Sequence, residues 1–380
     1  MIGAGAIPPR FRIRDEDGLI VPGVTALELT GAGVTVAKSG ARAVATIAAA
    51  GGSVDWAAMG IYRPQDYGTV DPTGVADSSA AFQAALDAMN ASPYGGEVLC
   101  PHGRFKISTG LSLPDMGYDS THGWGYQVGR AIRGPAWGAC TLVAATGLTA
   151  PILTATGNTI AGLPNVEITD IGFNGNANTG MTNGVVKLDR TAWARMERVV
   201  ILGATGGSSL APIGLNVLDV VHGVYENVVI QNCGTGWKFT EPNSMTCNHT
   251  QIRSAWAAGC SAWGMDIQSG APFTIEGCDV EASASGIRYN YAGGRLALRG
   301  PFYHEGVTSG AFFDLTAGYA KLEGPIHGVM GGIQNRGTTN LTVEDWIDSA
   351  TCTNASGAVL NKVRSPGLTG SGGTTNTWHS

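Results

Sequence analysis

FTIEGCDVEASASGIRY, Phe273–Tyr289, reads as a strand, a turn, and a glycine, Gly286, that opens another strand. With Ile275 in the core, alternation along its first ten residues turns Phe273, Ile275 and Val280 inward. Glu276, Asp279 and Glu281 then face out. The same unit recurs from about Pro164 onward, marked by Gly184, Gly214, Gly236, Gly264, Gly286, Gly310, Gly332 and Gly357. Successive spacings are 30, 22, 28, 22, 24, 22 and 25 residues. A period in the twenties, built of strands with no helical segment inside it, predicts a parallel β-helix. One coil cannot bury its apolar side alone, so it stacks on the next about 4.8 Å away, and Val, Ile and Leu form interior ladders. Parallel crossovers make the coil right-handed.

Composition agrees with many short strands and tight turns. The chain has 380 residues, 57 of them glycine, with 43% apolar and only 14% charged. Glycine has no Gly-X-Y period, which excludes collagen, and the apolar fraction excludes a disordered chain. A net charge of −6 without a basic block argues against nucleic acid as a partner. No window is apolar and long enough to span a membrane, and the N-terminus lacks the pattern of a secretory signal. The seven cysteines show no CxxC or Cys/His ligand spacing, so neither a metal nor another cofactor is expected, and the thiols read as small core residues.

Ahead of the repeats, DYGTVDPTGVADSSAAFQAALDAM (Asp66–Met89) runs a Gly- and Asp-rich loop into a helix with Phe82, Ala85, Leu86 and Met89 at helical spacing. Asp77 or Ser78 is placed to cap it. The loop has neither the Lys-Ser/Thr of a P-loop nor a regular GxGxxG, so a nucleotide role is disfavoured. A helix here serves to cover the open end of the solenoid, which otherwise exposes strand edges. Residues 1–52 form a separate β-rich piece, residues 53–65 a linker, 66–362 the β-helix, and 363–380 a Gly/Ser/Thr-rich tail.

Asp66–Leu86, together with GGEVLCPHGRFKIS (Gly95–Ser108) and its Pro-x-Gly-x-aromatic pattern, resembles the start of the pectate-lyase-like β-helix superfamily. The segment VTALELTGAGVTVAKSGARAVATI (Val24–Ile47) resembles short modules near the N-termini of bacteriophage tail proteins. The pairing resembles phage tailspikes and tail fibres. That resemblance implies a homotrimer in the virion, made in the host cytoplasm. It would be attached to other tail or baseplate proteins through residues 1–52 and would bind, and often cleave, host surface polysaccharide. Calcium, as in other lyases of the superfamily, has no supporting motif here.

A solenoid turns sequence period into surface columns. Five residues before each marker glycine stand Gln231, Gly259, Glu281, Glu305, His327 and Cys352. Glu281 and Glu305 are therefore expected to stack, with His327 on the next coil and Asp279 beside Tyr303. Two carboxylates at that separation repel, so one keeps its proton, as acid/base work on a glycosidic bond requires. The opposite reading is a set of turn glutamates bonded to backbone amides. Trp256, Trp263, Tyr289, Tyr291 and Tyr303 supply flat faces for sugar rings, and Arg288 and His327 supply polar contacts. Two other functions stay open: a purely structural tail component, rigid spacer or docking platform, favoured by the short C-terminal end, and a free polysaccharide lyase or hydrolase, disfavoured by the missing signal.

Overall fold

The structure is a computed structural model. It describes residues 34–39, 42–47, 55–114, 129–157, 163–203, 211–242, 247–270, 272–305, 307, 310–327, 332–336, 339–344, 350–355, 358–363 and 368–378. The chain divides into two compact units, Met1–Asp55 and Trp56–Ser380. In the first, Val34–Ser39 and Arg42–Ile47 pair as an antiparallel hairpin, Val34 opposite Ile47. The second is a right-handed parallel β-helix with three strand-lined faces.

Each face can be followed by register. On the first, Tyr62, Val98, Ile132, Ile168, Met196, Tyr225, Ile252, Ile275, Leu298, Leu322 and Val343 stack coil on coil. All are buried. The second face contributes Phe105, Leu142, Phe173, Ile201, Ile230, Ala257 and Val280. The third contributes Leu215, Trp237, Met265, Ile287, Phe313 and Ile333, with Val217, Phe239, Ile267, Tyr289 and Leu315 as a second ladder. In a parallel stack each residue sits on its own counterpart, so period-2 alternation on every strand is enough to make one continuous apolar interior.

Sharp corners make three faces out of one strand. Between the first and second faces the chain turns on one left-handed residue per coil: Asp170, Arg198, Asn227, Ser254 and Gly277, with φ between 49° and 59°. Most marker glycines lie elsewhere, at the entry to the third face. Gly214, Gly236, Gly264 and Gly286 stack there directly. Their φ angles are ordinary; what they lack is space. A Cβ on Gly236 would stand 2.6 Å from the Gly264 carbonyl oxygen, and one on Gly214 2.4 Å from Ile230 Cγ2. The outer markers differ from expectation. Val185, one residue beyond Gly184, falls in register with Gly214, and Phe312 rather than Gly310 follows Gly286, because loop lengths vary while the strand registers hold.

The solenoid is longer than its sequence motif. Ile61–Tyr62, within the expected linker, already pairs with Glu97–Val98. Leu368–Ser371 and Thr374–Trp378, within the expected tail, continue the third and first faces on Ala350–Thr353 and Val359–Val363. Small polar residues read as a tail because the last coils have few bulky apolar positions. Side-chain amides take over part of the stacking: Asn376 Nδ2 donates to Asn361 Oδ1 at 2.9 Å, and Asn361 Nδ2 to Asn340 Oδ1 at 2.9 Å.

At the other end, the helix Ser79–Ala91 buries Phe82, Ala85, Leu86 and Met89 against the first coils, and Phe82 meets Phe105 at 5.2 Å between ring centroids. Asp77 Oδ1 accepts from the Ser79 amide at 3.1 Å and from the Ser108 amide at 3.0 Å, tying helix start to next coil. The Ser78 hydroxyl turns back to accept from the Asp71 amide at 3.0 Å. The glycine-rich loop is itself a carboxylate-centred turn. Asp71 accepts from the Thr73 amide and hydroxyl through Oδ1 and from the Val75 and Ala76 amides through Oδ2, at 2.6–3.0 Å. These donors, the Thr73 hydroxyl foremost, hold the Asp71 carboxyl down to about 2. A depressed carboxylate stabilises the fold fully above its unfolded value, near 4, and loses that contribution as the pH falls toward 2. Protection from amide exchange at Thr73, Val75 and Ala76, relative to the unstructured rate at each pH, should therefore fall over that range in the wild type. In Asp71→Asn it should be low already at neutral pH; equal protection in the two proteins would refute this role.

Candidate functional site

The second face carries the expected acidic column, with its register now fixed. Glu281 pairs with Glu305, and Asp279 with Tyr303, as the period requires. Above Glu281 lies Ala258, not Gly259, and above that Gln231. His327 does not continue the Glu281–Glu305 column. It pairs with Tyr303, two positions away, because the coil after Glu305 reaches the second face late. By backbone register the columns therefore read Trp256–Asp279–Tyr303–His327 and Ala258–Glu281–Glu305. Cys352 leaves the set altogether, being buried on the third face against Ile333. Neighbouring parallel strands lie about 4.8 Å apart, so the Glu281 and Glu305 backbones stand one coil apart. Trp256, Asp279 and Glu281 are each half-buried.

Other predicted residues disperse. Tyr289 is wholly buried, and its hydroxyl donates to the Gly270 carbonyl at 2.9 Å, so it is a core residue and faces no glycan. The strand alternation that turns Arg288 out must turn its neighbour in. Arg288 lies on the third face, where Nε and Nη2 donate to the two oxygens of buried Asp266 at 2.8 and 2.6 Å. Its guanidinium also stands 5.1 Å from the Trp263 ring centroid. Arg288, Trp263 and Asp266 thus form one cluster, away from the second-face acids.

Tyr291 belongs to a group that the sequence reading missed, at the corner leaving the third face. Asp219, Glu241, Ser269 and Tyr291 succeed one another by 22, 28 and 22 residues, the same steps as Gly214, Gly236, Gly264 and Gly286. That coincidence was the available signal. Ser269 Oγ donates to Glu241 at 3.3 Å, and the Cys247 amide donates to Ser269 Oγ at 3.0 Å. Burial raises the Glu241 carboxyl above the ordinary glutamate range and the charge of Asp219 adds to it, while bonds from Ser269 and Tyr291 oppose the shift. The Tyr291 phenol is raised in turn, by burial first and then by Glu241. Such a carboxyl keeps its proton at a pH where a solvated glutamate has lost it, which is the property of a proton donor.

All seven cysteines are free and buried, and desolvation pushes the Cys247 and Cys260 thiols up to about 11. Among the described residues, no three His, Cys, Asp or Glu side chains gather as a metal site, and no helix is long and apolar enough to cross a membrane.

No protein-family model and no curated protein matches the sequence. Solved structures do match in shape. An alginate lyase from Paenibacillus aligns with a TM-score of 0.54 at 13% identity, over 78% of this chain and 97% of its own. A DFA-IIIase from Arthrobacter chlorophenolicus gives 0.52 at 8%, over 84% and 92%. The ORF18 protein of Geobacillus virus E2 gives 0.50 at 12%, over 91% of this chain and 67% of its own. At such identities the likeness is one of fold: these proteins and this chain share a parallel β-helix.

Proposed function

We propose that the chain is one subunit of a trimeric bacteriophage tail spike or fibre. In this reading it docks on other tail proteins through residues 1–52, and its β-helix binds and cuts polysaccharide on the host surface. The observation that carries the reading is the second face, where Trp256, Asp279, Tyr303 and His327 run in register beside Glu281 and Glu305. A rigid strand stack holds that row without any ordering of loops, so little conformational entropy is lost when a polymer lies along it. Supporting it are the tail-like N-terminal sequence and a fold shared with a virus protein and with enzymes named for alginate and DFA-III.

In the cleavage step, one of Glu281 and Glu305 donates a proton to the glycosidic oxygen as that bond breaks while the other, as carboxylate, attacks the anomeric carbon; water then hydrolyses the resulting ester, giving its proton back to the first. Asp279, two residues from Glu281, orients the sugar. The test is incubation with purified capsule and lipopolysaccharide from candidate hosts. New reducing ends are read for hydrolysis and absorbance at 235 nm for elimination, alongside sedimentation for the trimer. Glu281→Gln and Glu305→Gln should each lower product formation by about 10³-fold while binding persists. Binding without any product in the wild type would remove the catalytic limb. Neither binding nor product would leave a rigid tail spacer.

A further inference from the structure

Met59, Val75, Tyr94, Trp137 and Trp193 are the large apolar residues exposed among those described. Met59, Tyr94 and Trp193 line a single groove of about 880 Å³ beside the first coils of the first face. Isolated exposed apolar residues need no explanation; three gathered at one concavity do. The polar lining includes Glu97, Glu167 and Arg195. This groove shares no lining residue with the second-face acids.

Trp193 is the residue that local chemistry does not explain. It occupies the corner between the third and first faces, where Asn165, Trp193, His222 and His249 adopt φ of 49°, 52°, 58° and 53° in successive coils. Each of the first three donates its amide to the next coil, to the carbonyls of Ala192, Val221 and Asn248 at 2.7–2.9 Å. Asn and His tolerate the left-handed region; a bulky indole there is an outlier. Burial does not compensate, since Trp193 is 45% exposed. The ring is nevertheless held still. It stacks on His222 at 5.6 Å and 6° between planes, and His222 stacks on His249 at 4.8 Å and 20°. A strained, immobilised and solvent-facing aromatic at a groove is arranged for a ligand.

We propose that this groove binds a neutral pyranose of the polysaccharide, with the Trp193 indole as its stacking platform and Tyr94 closing over it. The inference rests on the polysaccharide reading and adds a place and a sugar class. A pyranose presents a flat C–H face to an indole and a rim of hydroxyls to acceptors. Glu97 and Glu167 supply acceptors for that rim. The exposed cations nearby are already engaged: Arg195 donates to Glu197 at 2.5 Å, and Arg133 lies 3.7 Å from Glu97 and 3.9 Å from Glu167. Arg130, which also lines the groove, is almost wholly buried.

The experiment is a microarray of purified neutral and uronate-containing bacterial polysaccharides, then calorimetry on whichever the wild type binds, at low and high salt. The variants are Trp193→His, which installs the residue this corner carries at 222 and 249, Tyr94→Ala, and Glu281→Gln for comparison. The expected result is a neutral glycan whose affinity is salt-independent and falls about tenfold or more in Trp193→His and Tyr94→Ala, with unfolding midpoints unchanged. A neutral glycan bound equally by wild type and both groove variants overturns this site and leaves the polysaccharide reading standing. Binding confined to uronate polymers, or steeply salt-dependent, overturns the neutral class. No binding to any member of the array overturns both.

Discussion

Gly286→Ala should destabilise the β-helix by about 3 kcal/mol, while Gly293→Ala, seven residues on, should change stability by less than about 0.5 kcal/mol. Neither glycine has a positive φ, so the contrast isolates space from backbone conformation. A Cβ at Gly286 would stand 2.1 Å from the Phe312 carbonyl oxygen, 2.9 Å from its carbon and 3.1 Å from Cα. All three atoms are backbone, and they cannot swing aside. The Phe312 carbonyl is pinned by the Ile287 amide at 2.7 Å, and the Gly286 amide by the Ala311 carbonyl at 3.0 Å. Relief therefore requires neighbouring coils to separate, which breaks ladder bonds and opens the apolar stack between Ile287 and Phe313. At Gly293 the nearest atom is Tyr291 Cε1 at 3.9 Å, an ordinary contact. The measurement is the unfolding midpoint of both variants at one fixed scan rate, with protease susceptibility as a second probe, since large solenoids often unfold irreversibly. Equal midpoints would mean that the coils slide freely past the glycine row.

That row also shows how far the repeat was legible from residue types alone. Gly214, Gly236, Gly264 and Gly286 mark true coil equivalents because each coil needs the same close approach at the same place. Where the need lapses, as at Phe312, the marker lapses with it, and counting from glycine misplaces the later coils. The Glu281–Glu305 and Asp279–Tyr303 pairs were readable because the marker spacing there, 24 residues, equals the coil step; His327 was not, because the next marker spacing is 22 while the coil still takes 24. Tyr289 illustrates a second limit. Aromatic content flagged it for sugar binding, although its neighbour Arg288 faces out and alternation sends it to the core. Glu241 shows a third. A raised carboxyl depends on burial and on Asp219 in another coil, and a linear reading sees these only if the glycine steps are applied to every residue type. Trp193 was invisible for the opposite reason: its interest lies in a backbone angle and an exposure that no pattern of residue types encodes.

Arg288→Ala should cost about 3 kcal/mol of stability and leave glycan affinity unchanged, because the guanidinium is committed to the fold. The third face carries Lys238, Asp266, Arg288 and Asp314 in successive coils, a cation at each end of the Asp266 column position and an acid beyond Arg288. Asp266 has a side chain only 5% exposed and receives both bonds of the Arg288 fork. The hydrogen bonds it donates to Asp266 hold the Arg288 guanidinium above its ordinary range, with the charges of Asp266 and then Asp314 adding to it. Removing the arginine strands a nearly buried carboxylate without its bidentate donor and strips the cation from the Trp263 ring. Arg288→Lys should recover only part of the loss, since a point charge cannot reproduce two parallel bonds. Replacing both partners, as Asp266→Leu with Arg288→Leu, should restore most of it, because the penalty lies in the unpaired charge rather than in the missing attraction. Unfolding midpoints for the two single variants and the double variant complete the cycle. Should Arg288→Ala instead keep its midpoint and lose polysaccharide affinity, the third face, with Trp263 beside it, becomes the binding surface, and the second-face row is reduced to scaffold.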